Sequence, residues 1–564
     1  MTAAGPGGLR WRRVLATAAS CVPTRADYAG LSTSWRRDML AGITVGVIAL
    51  PLALGFGVAS GMGAAAGLTT AIVAGVVAAV LGGSRLQVSG PTGAMSVVLV
   101  PIVAHVGPSG VVLVAMFAGL LIVAMGLTNL GRAISYVPWP VVEGFTIGIA
   151  VTIALQQLPL ILGVPKPAGS SVLLVGARTV TAAGGRVTAA SLGVFAVTVV
   201  VMVGLGRARR QLPASLIAIV VAAVVAHAFG MPVLDIGSIP NHLPVPRVPS
   251  VDASHLGELL TAAIAVAALA AIESLLSARV ADGMADGPST NADRELVGQG
   301  FANVASAIFG GMPATGAIAR TAVNARSGAT TRLSAIVHSV VLATVVVAGA
   351  TAVARIPLAA LGGVLVVTAV RMVDRAQVRL VGRAGRGEAA IMLSTALVTV
   401  LFNLVTAVEV GIAIAAVMAL RGVAATSGVV AEPIPGAAEI DQAEDFDLLR
   451  HHIAVYRLDG ALFFGAAQRF LDELTAVADV RVVVLRLSQL RLLDATGAAA
   501  LGEIIDDLQH RHVTVLLKGP RPEHRALLER AGTLAHLSDP AHCFDTLAAV
   551  IEHARRHVER VDGA

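Results

Sequence analysis

Ser89-Gly90-Pro91-Thr92-Gly93-Ala94 and Met312-Pro313-Ala314-Thr315-Gly316-Ala317 share one ending, Thr-Gly-Ala behind a proline, and aligning Thr92 with Thr315 sets an offset of 223 residues. Proline lacks an N–H and glycine punctuates helices, so each segment reads as a break in a helical run. One reading is an ordinary pair of membrane-helix breakers. The other is a duplicated fold: the offset maps seven apolar runs of one half onto seven of the other, and paired Gly/Pro interruptions in the two halves point to a binding site between repeats. Seven crossings is an odd number, so the repeats must be inverted.

Composition agrees with a membrane setting. Of 564 residues, 56% are apolar and 13% charged, and the mean hydropathy is +0.80, which excludes a water-soluble fold. Apolar runs long enough to cross a bilayer recur from Ala41 to Leu420, about fourteen in all. With 59 glycines and 3% aromatic residues, helices packed through small side chains are expected, and a β-barrel with aromatic girdles is not. Residues 1–20 carry Arg10, Trp11, Arg12 and Arg13 but no apolar core, so no signal peptide is expected and the first span directs insertion. Arg10 to Arg37, Arg85, Arg132, Arg207 to Arg210 and Arg371 to Arg386 all follow an even number of crossings. Both termini are therefore expected in the cytoplasm. These arginines are scattered over short loops, which argues against nucleic acid as a partner.

Met231 to Pro249 holds five prolines and reads as an extracytoplasmic loop dividing the spans seven and seven. The expected organisation is a cytoplasmic N-terminal segment (1–38), a transmembrane domain (39–425, with repeats about 39–230 and 256–425), a linker (426–445) and a soluble domain (446–560). In the last, Ile453 to Leu458 and Arg481 to Leu487 read as strands, and Gly465 to Ala476 and Ala498 to Gln509 as helices. This α/β domain shows no phosphate loop and no cluster of acids, histidines or thiols, so catalysis is not expected there. Cys21 and Cys543 are too far apart to suggest a metal or redox pair, and are expected to be free thiols. No cofactor or metal site is expected.

A helix that starts at mid-bilayer after such a break leaves its first N–H groups unpaired and presents a partial positive charge. Two such ends facing each other suit an anion. The candidate substrate-binding set is Thr92, Gly93 and Ala94 with Thr315, Gly316 and Ala317; Thr92, Gly93, Gly316 and Ala317 have N–H groups to offer, whereas Pro91 and Pro313 have none. Arg320 lies about one turn into the second half-helix and reads either as a fixed cation near the ligand or as a snorkelling side chain with Arg326 beyond it. Glu273, among small and apolar neighbours, reads as a coupling or gating group that takes up a proton, or as one half of a salt bridge with Arg320 as partner. Ser277, four residues on, shares its helical face and is a candidate to complete that site. The offset maps Glu273 onto Leu50, beside Pro51, which is expected to interrupt the first span; these two spans are expected to flank the half-helices. Glu143 and Glu409 sit near expected span ends, where solvated or capping acids are common. His105 and His338 receive no role.

Pro51 to Ser60 (PLALGFGVAS), Gly82 to Ala94 (GGSRLQVSGPTGA), Val142 to Gly148 (VEGFTIG), Ile272 to Ser277 (IESLLS) and Gly310 to Thr321 (GGMPATGAIART) together resemble the SulP (sulfate permease) family of anion transporters over nearly the whole chain. The resemblance implies an all-α membrane domain of fourteen spans in a seven-plus-seven inverted repeat, with a substrate-binding core domain moving against a gate domain. It implies the anion between the third and tenth spans, with Phe56 as a pocket wall, Thr92 at the third-span break, and Gly316, Ala317 and Arg320 around the tenth. Sodium-coupled bicarbonate members have Asp where this chain has Glu273, and Thr where it has Ile318, which favours a proton over sodium here. Plant and animal sulfate carriers have Gln where this chain has Leu52. The C-terminal domain resembles a STAS domain: Asp494-Ala495-Thr496-Gly497 starts a helix where relatives carry a phosphorylatable Ser or Thr, so Thr496 is a candidate for a kinase or other cytoplasmic regulator. The competing reading is that Asp494 and Thr496 cap the helix.

The expected protein is thus a multi-pass protein of a bacterial inner (plasma) membrane. It is expected to be a secondary active, proton-linked transporter of a small anion (sulfate, bicarbonate or a dicarboxylate) and, by the resemblance, a homodimer. An anion-sensing membrane regulator signalling through the STAS domain and an uncoupled anion channel are the alternatives. An enzyme is not expected.

Overall fold

The computed structural model describes residues 23–28, 30–131, 138–167, 171–208, 212–249, 256–284, 289–402, 410, 413–414, 416–418, 420, 428–432, 452–462 and 480–562. The chain forms two compact units, Met1–Ile412 and Ala413–Ala564. Cys21, Arg132, Glu409 and the expected helix Gly465 to Ala476 lie outside the described residues.

The first unit is helical. Its helices are α1 (Leu31–Ser60), α2 (Ala64–Leu81), α3 (Gly93–Leu127), α4 (Trp139–Gln156), α5 (Leu158–Leu162), α6 (Val172–Ala182), α7 (Gly185–Ala208), α8 (Ala214–Ala228), α9 (Leu256–Met284), α10 (Ala292–Ile308), α11 (Ile318–Arg326), α12 (Leu333–Ala354), α13 (Leu358–Met372), α14 (Arg375–Ala384) and α15 (Arg386–Leu401). Among the described residues, seven helices are long and apolar enough to cross a membrane. Several others are shorter, and the tenth expected span is only the nine-residue α11 behind a two-residue strand. Helix α1 begins at Leu31, ahead of the expected domain start at 39, and runs through Pro51 without interruption. That corrects the expected break: within a bundle one missing intrahelical bond is tolerated, and Pro51 is itself buried. A further break in the first half lies within α3. At Gly107 the backbone turns to φ 72°, so α3 is a half-helix followed by a second helix from Pro108.

Small residues let these helices touch backbone to backbone. A Cβ on Gly119 would lie 2.7 Å from the Gly300 carbonyl, and one on Gly300 would lie 2.6 Å from the Gly119 carbonyl, so α3 and α10 pack at a distance only glycine permits. The proline-rich segment after α8 is non-helical, as expected. Its backbone is stitched to the start of α13: Ile236 N–H donates to the Ile356 carbonyl (3.0 Å), and Leu358 N–H donates to that of Leu234 (2.8 Å).

In the second unit, β3 (Gly428–Glu432), β4 (Ile453–Leu462), β5 (Val482–Arg486), β7 (Thr514–Lys518) and β8 (Cys543–Phe544) form one sheet in that order, with β6 (Leu490–Leu493) paired to β4. Only β3 is antiparallel, and it lies inside the segment expected to be a linker. Strand alternation splits the core: Val483, Leu485 and Val515 face Leu501 and Ile505 of α16 (Ala495–His510), while Val482, Val484 and Leu516 face Val550, Ala554 and Val558 of α18 (Leu547–Asp562). Packing of α18 brings the His553 ring to 5.1 Å from that of His542, and His557 lies 2.9 Å from the Thr514 hydroxyl.

Ahead of α1, a 3-10 turn (Arg25–Tyr28) holds Asp27, which accepts from Arg294 Nη1 (2.7 Å) and from the Thr24 N–H and hydroxyl (2.7 and 2.8 Å). Burial pushes the Asp27 carboxyl up, but the Arg294 and Thr24 hydrogen bonds together outweigh it and hold the group well below the usual carboxylate range. Stabilisation from such a group is present above its unfolded value and is lost as pH falls through the folded one. Asp27→Asn should therefore destabilise the protein at neutral pH by about 1–3 kcal/mol, with the gap to wild type closing as acid protonates the native carboxyl. Thermal unfolding at stepped pH measures this; a gap independent of pH would mean that Asp27 acts through packing alone.

Candidate functional site

The two Thr-Gly breaks meet. Ser89–Gly90 (β1) pairs antiparallel with Thr315–Gly316 (β2), Ser89 opposite Gly316 and Gly90 opposite Thr315. Each strand leads into a half-helix. Thr92 caps α3, its hydroxyl accepting from Met95 N–H (3.4 Å), and the Gly93 and Ala94 N–H groups have no acceptor among the described residues. Ala317 precedes α11, whose first internal bond runs from Thr321 N–H to the Ala317 carbonyl (2.8 Å). The expectation that the Gly316 and Ala317 N–H groups face a ligand is corrected: Gly316 N–H donates to the Ser274 hydroxyl (3.0 Å) and Ala317 N–H to the Val88 carbonyl (2.9 Å). Their role is to hold the strand, and the open N–H groups at this end are those of Ile318 and Ala319, both exposed.

The two threonines related by the 223-residue offset converge on one atom. Thr92 Oγ1 donates to Glu273 Oε2 (2.8 Å) and Thr315 Oγ1 donates to the same oxygen (3.0 Å). Oε1 of Glu273 has no protein partner among the described residues, and the side chain is only partly buried. Helix α9, which carries Glu273, also supplies Ser274 to β2. Ser277 does not complete the Glu273 site as expected; one turn further on, it lies 2.9 Å from the Thr321 hydroxyl of α11. Among the described residues Glu273 makes no ion pair with Arg320.

Arg320 is 2% exposed, which removes the snorkelling reading. Its Nη2 donates to the Pro91 carbonyl at the opposite break, while Nη1 is buried without a partner beside Gly90, where a Cβ would lie 2.7 Å from it. A buried guanidinium with an open N–H is costly unless something fills the position. Phe56 is buried on α1, its ring 3.3 Å from where a Cβ on Gly93 would stand, and so walls the first turn of α3. The flanking role expected for the first and eighth spans is seen in α1 and α9, which both pack on α3 and α11.

One helix that carries much of this geometry is not among the sequence candidates. On α10, Glu295 Oε1 accepts from Gln87 Nε2 (2.8 Å) and Gln299 Nε2 (2.9 Å), and Gln299 also reaches the Ser89 hydroxyl (2.5 Å). Asn303 clamps Ala314 in both directions, donating to its carbonyl (2.9 Å) and accepting from its N–H (2.8 Å). The signal was present in the sequence as polar residues at i, i+4 and i+8 within an otherwise apolar run. Glu143, read as a solvated or capping acid, is instead buried in α4, the helix that packs on α15. His105 is exposed and His338 buried.

In the second unit Asp494 caps α16, its Oδ1 accepting from Gly497 N–H (2.7 Å), and Thr496 is exposed in the first turn.

A Cβ on Gly316 would lie 2.0 Å from Gln87 Nε2, and Glu295 holds that amide in place. Gly316→Ala should lower the unfolding temperature of the purified protein, at a cost of about 1–3 kcal/mol; adding Gln87→Ala should recover part of it. An unchanged midpoint in the single variant would show that the Gln87 amide moves aside freely.

Comparison with known proteins follows the same division. Residues 35–395 match the model of the sulfate permease family, and residues 449–550 match that of the STAS domain. The chain is 32% identical to a putative sulfate transporter, YvdB, of Bacillus subtilis, over 91% of this chain and 96% of that one. It is 30% identical to the bicarbonate transporter BicA of Synechocystis, over 92% and 94%. The solved transmembrane domain of a cyanobacterial BicA superposes with a TM-score of 0.61 at 32% identity, covering 66% of this chain and 97% of that one. The overall structure of SLC26A9 shares the fold, with a TM-score of 0.78 at 16% identity over 94% and 92%. This multi-pass membrane protein, with its helical membrane domain and α/β STAS domain, belongs to the sulfate permease family of anion transporters.

Proposed function

We propose that this protein is a secondary active, proton-linked transporter of a small anion, with sulfate and bicarbonate the foremost substrates and a C4-dicarboxylate the next. The observation that carries the reading is the meeting of Thr92 and Thr315 on Glu273, beside two half-helix ends and the open Nη1 of Arg320. Helix N-termini and a guanidinium attract negative charge more than they select its identity. The relatives' names supply the candidates: one is a putative sulfate transporter and another a bicarbonate transporter. The anion sits against the Gly93, Ala94, Ile318 and Ala319 N–H groups, with Phe56 as its wall and Arg320 as a fixed cation.

Glu273 is the coupling group. Its proton is exchanged on Oε1 while the two threonines hold Oε2, so a change of charge is felt at both breaks at once. The anion is carried by alternating access, as the core moves against the gate. The protein works as a dimer in a bacterial inner membrane with both termini in the cytoplasm, an orientation supported by its arginine distribution. A competition panel of sulfate, bicarbonate, chloride and a C4-dicarboxylate in proteoliposomes should reveal one preferred anion, accumulated in response to a proton gradient. In the same assay Glu273→Gln should abolish pH-dependent accumulation, and Arg320→Ala should weaken apparent affinity roughly 10-fold to 100-fold. Unaltered pH dependence in the first variant sinks the coupling claim, and no uptake at all by the wild type would favour an anion-sensing regulator.

Regulation enters through the STAS domain at Asp494 and Thr496. Thr496 is exposed in the first turn of α16, where a phosphate would meet the positive end of the helix. Thr496→Glu should change the transport rate while Thr496→Ala leaves the basal rate intact. Cells in which Thr496 is never modified, together with identical rates for all three proteins, would reduce this position to a helix cap.

A further inference from the structure

Between the apolar helices α13 and α15 lies α14 (Arg375–Ala384), whose sequence sets Arg375, Arg379 and Arg383 at i, i+4 and i+8, with Arg386 following. All four are exposed, Leu380 beside them is 62% exposed, and Val381 is buried on the opposite side. Of the neighbouring acids, Asp374 caps α14, its Oδ1 accepting from Ala376 N–H (2.8 Å) and Gln377 N–H (3.4 Å), and Glu388 is exposed in the first turn of α15. Among the described residues none of the four arginines makes an ion pair; the one hydrogen bond from their side chains runs from Arg379 Nε to the Arg375 carbonyl (3.0 Å). Beside the helix is an open cleft of about 520 Å³ lined, among the described residues, by Val373, Arg375, Val378 and Arg379. Helix α4, which packs on α14, begins with Trp139, 48% exposed, a residue type that favours the membrane–water boundary.

From this cleft and arginine stripe we infer that α14 lies in the bilayer interface and binds the headgroup of an anionic phospholipid. The lining chooses the occupant. Guanidinium groups fit phosphate in a forked, bidentate manner, while Val373, Val378 and Leu380 would stay wet beside a free inorganic anion and are covered by acyl chain beside a lipid. Arginines near a membrane end also serve as topology signals during insertion. A topology signal alone gives the inserted protein no dependence on headgroup charge, and that difference separates the two roles.

The test uses the full chain in nanodiscs of phosphatidylcholine alone or mixed with phosphatidylglycerol, with thermal unfolding as the readout. The wild-type midpoint should rise with phosphatidylglycerol, and raised salt should diminish the rise. The variant R375Q/R379Q/R383Q should lose the rise, and R375K/R379K/R383K should retain part of it. If the glutamine variant does not fold, the lysine variant and the salt series decide. A wild-type midpoint indifferent to phosphatidylglycerol, an undiminished rise in the glutamine variant, or the same rise produced by soluble glycerol phosphate in phosphatidylcholine discs would overturn the assignment.

Discussion

In hydrocarbon every backbone N–H and carbonyl needs a partner from the protein itself, and breaking two helices within the membrane domain creates a dense group of them with no helix to satisfy them. The rest of the membrane unit can be understood as the answer to that constraint. The two breaks pair with each other as β1 and β2, and what that ladder leaves over is taken by side chains: Ser274 for Gly316, Thr321 for Val88, Asn303 for Ala314 and Thr70 for Met312. These partners come from α2, α9, α10 and α11. A change in any of these helices therefore reaches both half-helix ends.

The same constraint separates groups that support from groups left open. Gly316 and Ala317 spend their N–H groups on the scaffold, so their contribution is to hold β2 against β1 and to admit the Gln87 amide. Gly93, Ala94, Ile318 and Ala319 keep theirs. Arg320 bridges the two breaks through the Pro91 carbonyl and retains a buried, unpartnered Nη1. Such a group is tolerated where a ligand or water completes it, so the open groups, more than the saturated ones, are where we propose that the anion sits.

Glu273 links the halves in another way. A single carboxylate oxygen accepting two hydroxyls, one from each break, makes the separation of the breaks and the state of the acid depend on each other. Replacing either threonine would leave Oε2 with one donor, and moving α9 would loosen both contacts together. Beneath this, the spine of Glu295, Gln299 and Asn303 on α10 sets where the strands lie.

The amino-acid sequence by itself determined that this is a multi-pass membrane protein with an α/β domain behind it, because span length, charge placement and strand alternation are local properties. It also singled out Thr92, Thr315, Glu273 and Arg320 as candidates, since prolines, repeats and isolated charges in apolar runs are visible without coordinates, and the fold brings them together at the two breaks. Which N–H groups are open was decided only by tertiary structure. Hydrogen bonds from Gly316 and Ala317 go to Ser274 and Val88, residues 42 and 229 positions away in the chain, and no local pattern encodes such partners. The continuity of α1 through Pro51, the strand within 426–445 and the turning of Ser277 toward Thr321 belong to the same class. In the last two a neighbour distant in sequence took over a group whose local preference pointed elsewhere, whereas α1 stays continuous because Pro51 is buried within the bundle.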